Sequence, residues 1–174
     1  MYMNNNIILI GFMGSGKTTI GKKLSQCLSC SLIDTDELIV KKEGRSINDI
    51  FASDGEAYFR DLETQVLREL IETADGQVIS VGGGLPMREE NRRLMKQLGK
   101  TVYLTASVEE LVKRLKGAKD RPMLRSGKDL ENRITELMNL RGETYEGCAD
   151  FAVDTQSGIE ETVSELIKYR GQIL

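Results

Sequence analysis

Apolar and polar positions in this chain change period block by block. Asn6–Ile10 (NIILI) is a short apolar run closed by a glycine, the pattern of a buried strand. From Lys17 the spacing becomes helical, with Ile20, Leu24 and Leu28 on one face. Ser31–Asp34 (SLID) reads as a second strand. A long helical stretch follows over Asp36–Glu72, broken near Gly44 and Gly55, and Ser46–Asp49 can cap one of its helices. Gln77–Val81 is a third strand, ended by Gly82-Gly83-Gly84. Arg88–Leu98 is helical, and Lys100–Thr105 is a fourth strand. Ser107 caps a helix running to about Lys116, with Glu110 at the capping-box position. Leu130–Glu146 is helical, Asp150–Asp154 is a fifth strand, and Ile159–Tyr169 is a last helix. Five strands alternating with helices imply an α/β fold with a parallel sheet covered on both faces.

One segment fits neither period. Gly117–Lys128 (GAKDRPMLRSGK) holds two glycines, a proline and the basic residues Lys119, Arg121, Arg125 and Lys128, so it reads as a mobile loop.

Composition narrows the function classes. The 174 residues suffice for one domain with a real core. Hydrophobic residues at 40% and charged residues at 29% are an ordinary globular balance, which argues against long disorder. A net charge of −3 argues against a general nucleic-acid binder. No apolar run reaches membrane-span length, and MYMNNN has no basic segment of the kind a signal peptide carries. The expectation is a cytoplasmic protein. Cys27 and Cys30 form a C-x-x-C, but the chain has no histidine and only one further thiol, Cys148. That leaves too few ligands for zinc, so the pair reads as small buried thiols at a helix end.

The chemistry starts at Gly11–Thr19 (GFMGSGKTT), which fits G-x-x-x-x-G-K-[ST] between a predicted strand and a predicted helix. Its glycines let consecutive backbone amides converge, and the following helix aims its positive end at the same point. Gly14, Ser15, Gly16, Lys17, Thr18 and Thr19 are thus expected to bind the phosphates of ATP. Lys17 reaches the outer phosphates and Thr18 ligates Mg2+. A GTPase switch is disfavoured, because the chain has no Asn-Lys pair for an N-K-x-D motif and no D-x-x-G. The length excludes a large motor ATPase, which leaves a small metabolite kinase.

The acceptor is read from other loops. Asp34-Thr35-Asp36 ends the second strand at the sheet's carboxyl edge, where α/β proteins bind ligands. In extended chain the two carboxylates face one way, so one can hold magnesium and the other an acceptor hydroxyl; alternatively, Asp36 only caps the next helix. Gly82-Gly83-Gly84 allow a ligand to touch main chain, or make a tight turn. Arg60, Arg121 and Arg141 lie near such loops, and they bear on function only if they converge.

These motifs carry a resemblance. The chain resembles the shikimate kinases over nearly its whole length, through GFMGSGKTT, DTDELI, FASDGEAYFRDLE, GGG, RPML and RGETYEGCADF. The resemblance implies a P-loop, nucleoside-monophosphate-kinase-like three-layer fold with a five-stranded parallel sheet, a small helical substrate-binding subdomain and a mobile lid. It implies one kinase domain over 1–174, with core segments 1–34, 73–115 and 129–174, a substrate-binding excursion near 35–72 and a lid near 116–128. The implied reaction is transfer of phosphate from ATP to the 3-hydroxyl of shikimate. Asp36 would bind the shikimate hydroxyls and act as a base. Asp34 would support magnesium through water. Arg60 and Arg141 would clamp the ring carboxylate, and Gly82, Gly83 and Gly84 would meet the ring. Arg121 would reach the transferring phosphoryl group, and Arg114 would pack on adenine, with a further contact from the turn after Asp154. The family implies a monomer. Another polyol acid kinase, such as one for gluconate, and a non-catalytic nucleotide-binding regulator stand as alternatives.

Overall fold

A computed structural model of the chain describes residues 5–116 and 130–173. Its elements run β1 (Asn6–Ile10), α1 (Lys17–Cys27), β2 (Leu32–Asp34), α2 (Thr35–Glu43), α3 (Ile47–Ser53), α4 (Gly55–Thr73) and β3 (Val78–Ser80). A short 3-10 turn at Leu85–Met87 leads to α5 (Glu89–Leu98), β4 (Gly99–Thr105) and α6 (Val108–Leu115). After residues 117–129 come α7 (Leu130–Cys148), β5 (Phe151–Asp154) and α8 (Ile159–Ile173). The segment expected to form a lid, with Arg121, lies outside the described residues.

All five strands pair in parallel, in the order β2-β3-β1-β4-β5. β1 is central and buried along its whole length. Its successive side chains feed opposite faces, as strand geometry requires. Ile8 and Ile10 enter one core with Phe59, Leu67, Ile79 and Tyr145, while Ile7 and Leu9 enter the other with Leu24, Val102 and Val163. This explains why the strand is uniformly apolar. Helices α1 and α8 pack together on the second face, and α4 and α5 cover the first.

Local chemistry sets the helix ends. Ser46 and Asp49 form a complete capping box at the start of α3. Gly44, at φ 66°, ends α2 in the left-handed region. At α6, Ser107 accepts from the Glu110 amide as expected, but the Glu110 carboxylate turns to Arg114. The sequence places β3 and β2 slightly too long. Gln77, at the edge of β3, gives its amide to the Asn6 side chain rather than to a backbone carbonyl. At the end of α1, Cys27 is exposed rather than buried, Cys30 is half-buried, and both are free thiols.

Candidate active site

The phosphate loop connects β1 to α1 at the centre of the carboxyl edge. Gly14 and Gly16 stand at φ 81° and 99°, which glycine adopts at no steric cost. Gly16 caps α1 without any side-chain hydrogen bond, and the first intrahelical bond runs from the Ile20 amide to Gly16 at 2.8 Å. The amides of the first turn therefore have no intrahelical acceptor, the arrangement that receives an anion. Lys17 Nζ folds back over the loop and donates to the carbonyls of Gly11 (2.7 Å) and Phe12 (3.1 Å). Arg114 braces the loop from α6. Its guanidinium donates to the Gly14 carbonyl at 3.2 Å and to Thr155, through Oγ1 at 3.0 Å and the carbonyl at 3.1 Å. This joins the phosphate loop to the turn after β5.

The acidic pair at β2 departs from expectation. Asp34 is the N-cap of α2: its Oδ1 accepts from the amides of Asp36 (2.9 Å) and Glu37 (3.3 Å). The helix therefore starts at Thr35, and Asp36 lies in its first turn rather than in extended chain. The extended-chain geometry is thus wrong, and so is the assignment of the cap to Asp36. The reason is the strong preference of aspartate for the N-cap, which wins at the first of the two carboxylates. Both still line the same cleft.

Gly82, Gly83 and Gly84 follow β3, and close approach is what requires them. A Cβ on Gly82 would lie 2.7 Å from Asp36 Oδ1 and 3.0 Å from Glu63 Oε1. A Cβ on Gly84 would lie 2.5 Å from both terminal nitrogens of Arg60. The charged groups of α2 and α4 thus pack directly on the glycine backbone. Arg60 is held by two acids of its own helix, donating to Glu63 at 2.8 Å and to Glu56 at 2.9 Å. Glu63 is fully buried, and burial, opposed by Arg60, pushes its carboxyl up to about 7. From α7, buried Arg141 approaches Gly83, with Nη1 3.8 Å from the Cβ position there.

These groups open on one cleft of about 1010 Å³. It is lined by Gly14, Ser15, Gly16, Lys17, Thr18 and Thr19 on one side and by Arg60, Gly82, Gly83, Gly84 and Arg141 on the other. Asp34 and Asp36 line it between β2 and α2, and Arg114, Thr155 and Gln156 line it too. The chain thus brings together, within the described residues, every candidate singled out from sequence; Arg121 falls outside them. Sequence reasoning missed Glu63. Its signal was the i, i+3 spacing from Arg60 in AYFRDLE, which puts the two on one helix face. Among the described residues, no group of three or more His, Cys, Asp or Glu forms a metal cage. Thr18 and Asp34 line the same cleft and offer one hydroxyl and one carboxylate, a donor set that fits magnesium, which keeps waters and takes phosphate oxygens as ligands.

The parallel sheet and its glycine loop define a P-loop kinase of the nucleoside-monophosphate-kinase-like class. A sequence model of the shikimate kinase family matches residues 13–170. A shikimate kinase from Dictyoglomus turgidum is 41% identical over 173 residues, covering 95% of this chain and 97% of that one. The solved shikimate kinase from Acinetobacter baumannii, in complex with shikimate, superposes with a TM-score of 0.89 at 34% identity, covering 95% of this chain and 92% of that one. A gluconokinase from Sinorhizobium meliloti reaches a TM-score of 0.56 at 16% identity, covering 99% and 94% of the two chains, which is likeness of fold alone. The chain belongs to the shikimate kinase family.

Proposed function

We propose that this protein transfers the γ-phosphoryl group of ATP to the 3-hydroxyl of shikimate, giving shikimate 3-phosphate and ADP. The observation that carries the reading is the single cleft shared by the Lys17 loop and the Arg60–Arg141 pair. One end offers amides and a cation to a triphosphate. The other offers two guanidinium groups to a fixed carboxylate, which each can grip with two parallel bonds.

Phosphoryl transfer depends on alignment and charge neutralisation more than on covalent help. In this reading the α1 amides and Lys17 hold the outer phosphates. Arg60 and Arg141 anchor the ring by its carboxylate, and the backbone of Gly82–Gly84 limits how the ring can lie. Asp36 accepts from the reacting hydroxyl and orients it toward the phosphate loop. Thr18 and, through water, Asp34 would hold Mg2+, which would neutralise phosphate charge. Family resemblance assigns Arg121 to the transferring group and Arg114 to adenine. The chain acts as a monomer in the cytoplasm. Among the described residues no helix is long and apolar enough to cross a membrane.

The deciding experiment is an assay of ADP formation from ATP and Mg2+ with shikimate, gluconate or no acceptor. The expected result is turnover that depends on shikimate. Turnover with gluconate alone would move the activity to another polyol acid. Nucleotide binding without turnover on either would leave a regulator.

A further inference from the structure

Tyr145 is fully buried on α7, one helical turn beyond Arg141 and on the same face. Its hydroxyl donates to the Gly83 carbonyl at 2.6 Å, and the Arg141 guanidinium approaches the same glycine beside it. The ring is fixed from behind by Tyr103 of β4, with centroids 5.2 Å apart and planes tilted by 37°. A guanidinium can only donate and a carbonyl can only accept. A hydroxyl does both, so Tyr145 can join the two. Burial pushes the phenol up to about 12, which keeps its proton in place at any physiological pH.

We infer that Tyr145 is a positioning residue for the acceptor, setting Arg141 against the Gly83 backbone so that the guanidinium meets the substrate carboxylate in a fixed orientation. This deepens the functional reading above and rests on it. Arg141 stands 3.8 Å and Tyr145 Oη 3.6 Å from the Cβ position of Gly83, so the three groups meet at one point of the cleft wall. The hydroxyl thereby links α7, which carries one half of the carboxylate clamp, to the loop that meets the ring. Without that link, Arg141 keeps its charge and loses its direction, and direction is what two parallel bonds to a carboxylate need.

The test is titration calorimetry of wild type and Tyr145→Phe with shikimate and with its methyl ester, which lacks the negative charge. Phenylalanine keeps the ring packing and removes only the hydroxyl. The expected result is a roughly ten-fold weaker affinity for shikimate, little change for the ester, and an unchanged affinity for ATP titrated in the same way. Arg141→Ala supplies the second variant: adding Tyr145→Phe to it should cost shikimate nothing more. Equal losses for acid and ester, additive losses in the double variant, an unaffected Tyr145→Phe protein, or one that does not fold would each overturn the assignment. If wild type itself fails to bind shikimate, the functional reading falls and this assignment falls with it.

Discussion

The Arg60 guanidinium donates to Glu63 at 2.8 Å across one turn of α4, and the Glu63 side chain is almost wholly removed from solvent. The pair sits where Gly82 comes close to both Glu63 and Asp36, so two carboxyl groups share one wall of the cleft. Burial drives the Glu63 carboxyl upward, Arg60 opposes it, and the charge of Asp36 adds to the rise. The net position is about 7 against an ordinary value of 4.5.

That shift gives a pH dependence with a definite sign. The folded protein holds the Glu63 proton more tightly than the unfolded chain does. The stabilising contribution of this group is therefore complete below about 4.5 and is lost as the pH rises through about 7. Urea denaturation of wild type and Glu63→Gln between those limits and one unit beyond is the measurement. Relative to the variant, wild type should lose on the order of 3 kcal/mol as the pH rises. Parallel profiles would place the titration elsewhere.

The two arginines are expected to separate the two substrates. Arg60→Ala and Arg141→Ala each remove one guanidinium from the end of the cleft proposed to hold the acceptor, whereas the end proposed for the triphosphate is lined by the glycine loop and Lys17. Each variant should weaken shikimate by roughly ten- to hundred-fold, the scale of a charge-assisted hydrogen bond. ATP affinity should stay within about two-fold by the same reckoning. Fluorescence or calorimetric titration with each ligand checks this, and equal losses for both would remove the carboxylate clamp. Arg60→Ala also leaves Glu63 buried without its cation, so its melting temperature should fall more than that of Arg141→Ala.

Much of the fold was legible because its physics is local. NIILI is apolar throughout, since β1 is covered on both faces, and the glycine loop announces itself by residue type. The capping box at Ser46 and Asp49 was likewise readable from four residues. The acidic pair was misread because two aspartates compete for one cap, and only the path of the chain after β2 decides for Asp34. Glu63 and Tyr145 carried weaker signals. An acid in an amphipathic helix is ordinarily solvated, and a tyrosine near a helix end is ordinarily core. What gives each its interest is a partner on another element: the Gly82 backbone for Glu63, and Gly83 for Tyr145. The convergence of Arg60 with Arg141 is equally non-local, as 80 intervening residues in sequence separate them.

Lys17 tests the donor end of the cleft. Its ammonium lies over the loop, on the carbonyls of Gly11 and Phe12. Lys17→Met keeps a similar length and removes the charge. Turnover should fall by about two to three orders of magnitude, the scale for losing a group that stabilises charge in the transition state. Shikimate binding alone should be unaffected, and circular dichroism should show the fold intact. Near-normal turnover would detach Lys17 from the chemistry.

Gly84 offers the sharpest test of close approach. Its φ of −89° and ψ of −13° are open to any residue, so alanine meets no backbone strain there. The new Cβ would instead lie 2.5 Å from both Arg60 terminal nitrogens and would push the guanidinium off the loop. Arg60 is the flexible end of a long side chain, so the fold should survive with a modest loss of stability. Its bonds to Glu56 and Glu63 resist the move, and the clamp is expected to open. Gly84→Ala should therefore raise KM for shikimate by about ten-fold, the weight of one charge-assisted bond, while leaving KM for ATP in place. Gly142 in α7 is the control: a Cβ there meets nothing within 4 Å, and alanine should stabilise the helix by up to about 1 kcal/mol. Steady-state kinetics with each substrate varied, alongside thermal melts, decides the matter. An unchanged shikimate KM in Gly84→Ala would show that the packing of Arg60 on this glycine has no part in holding the acceptor.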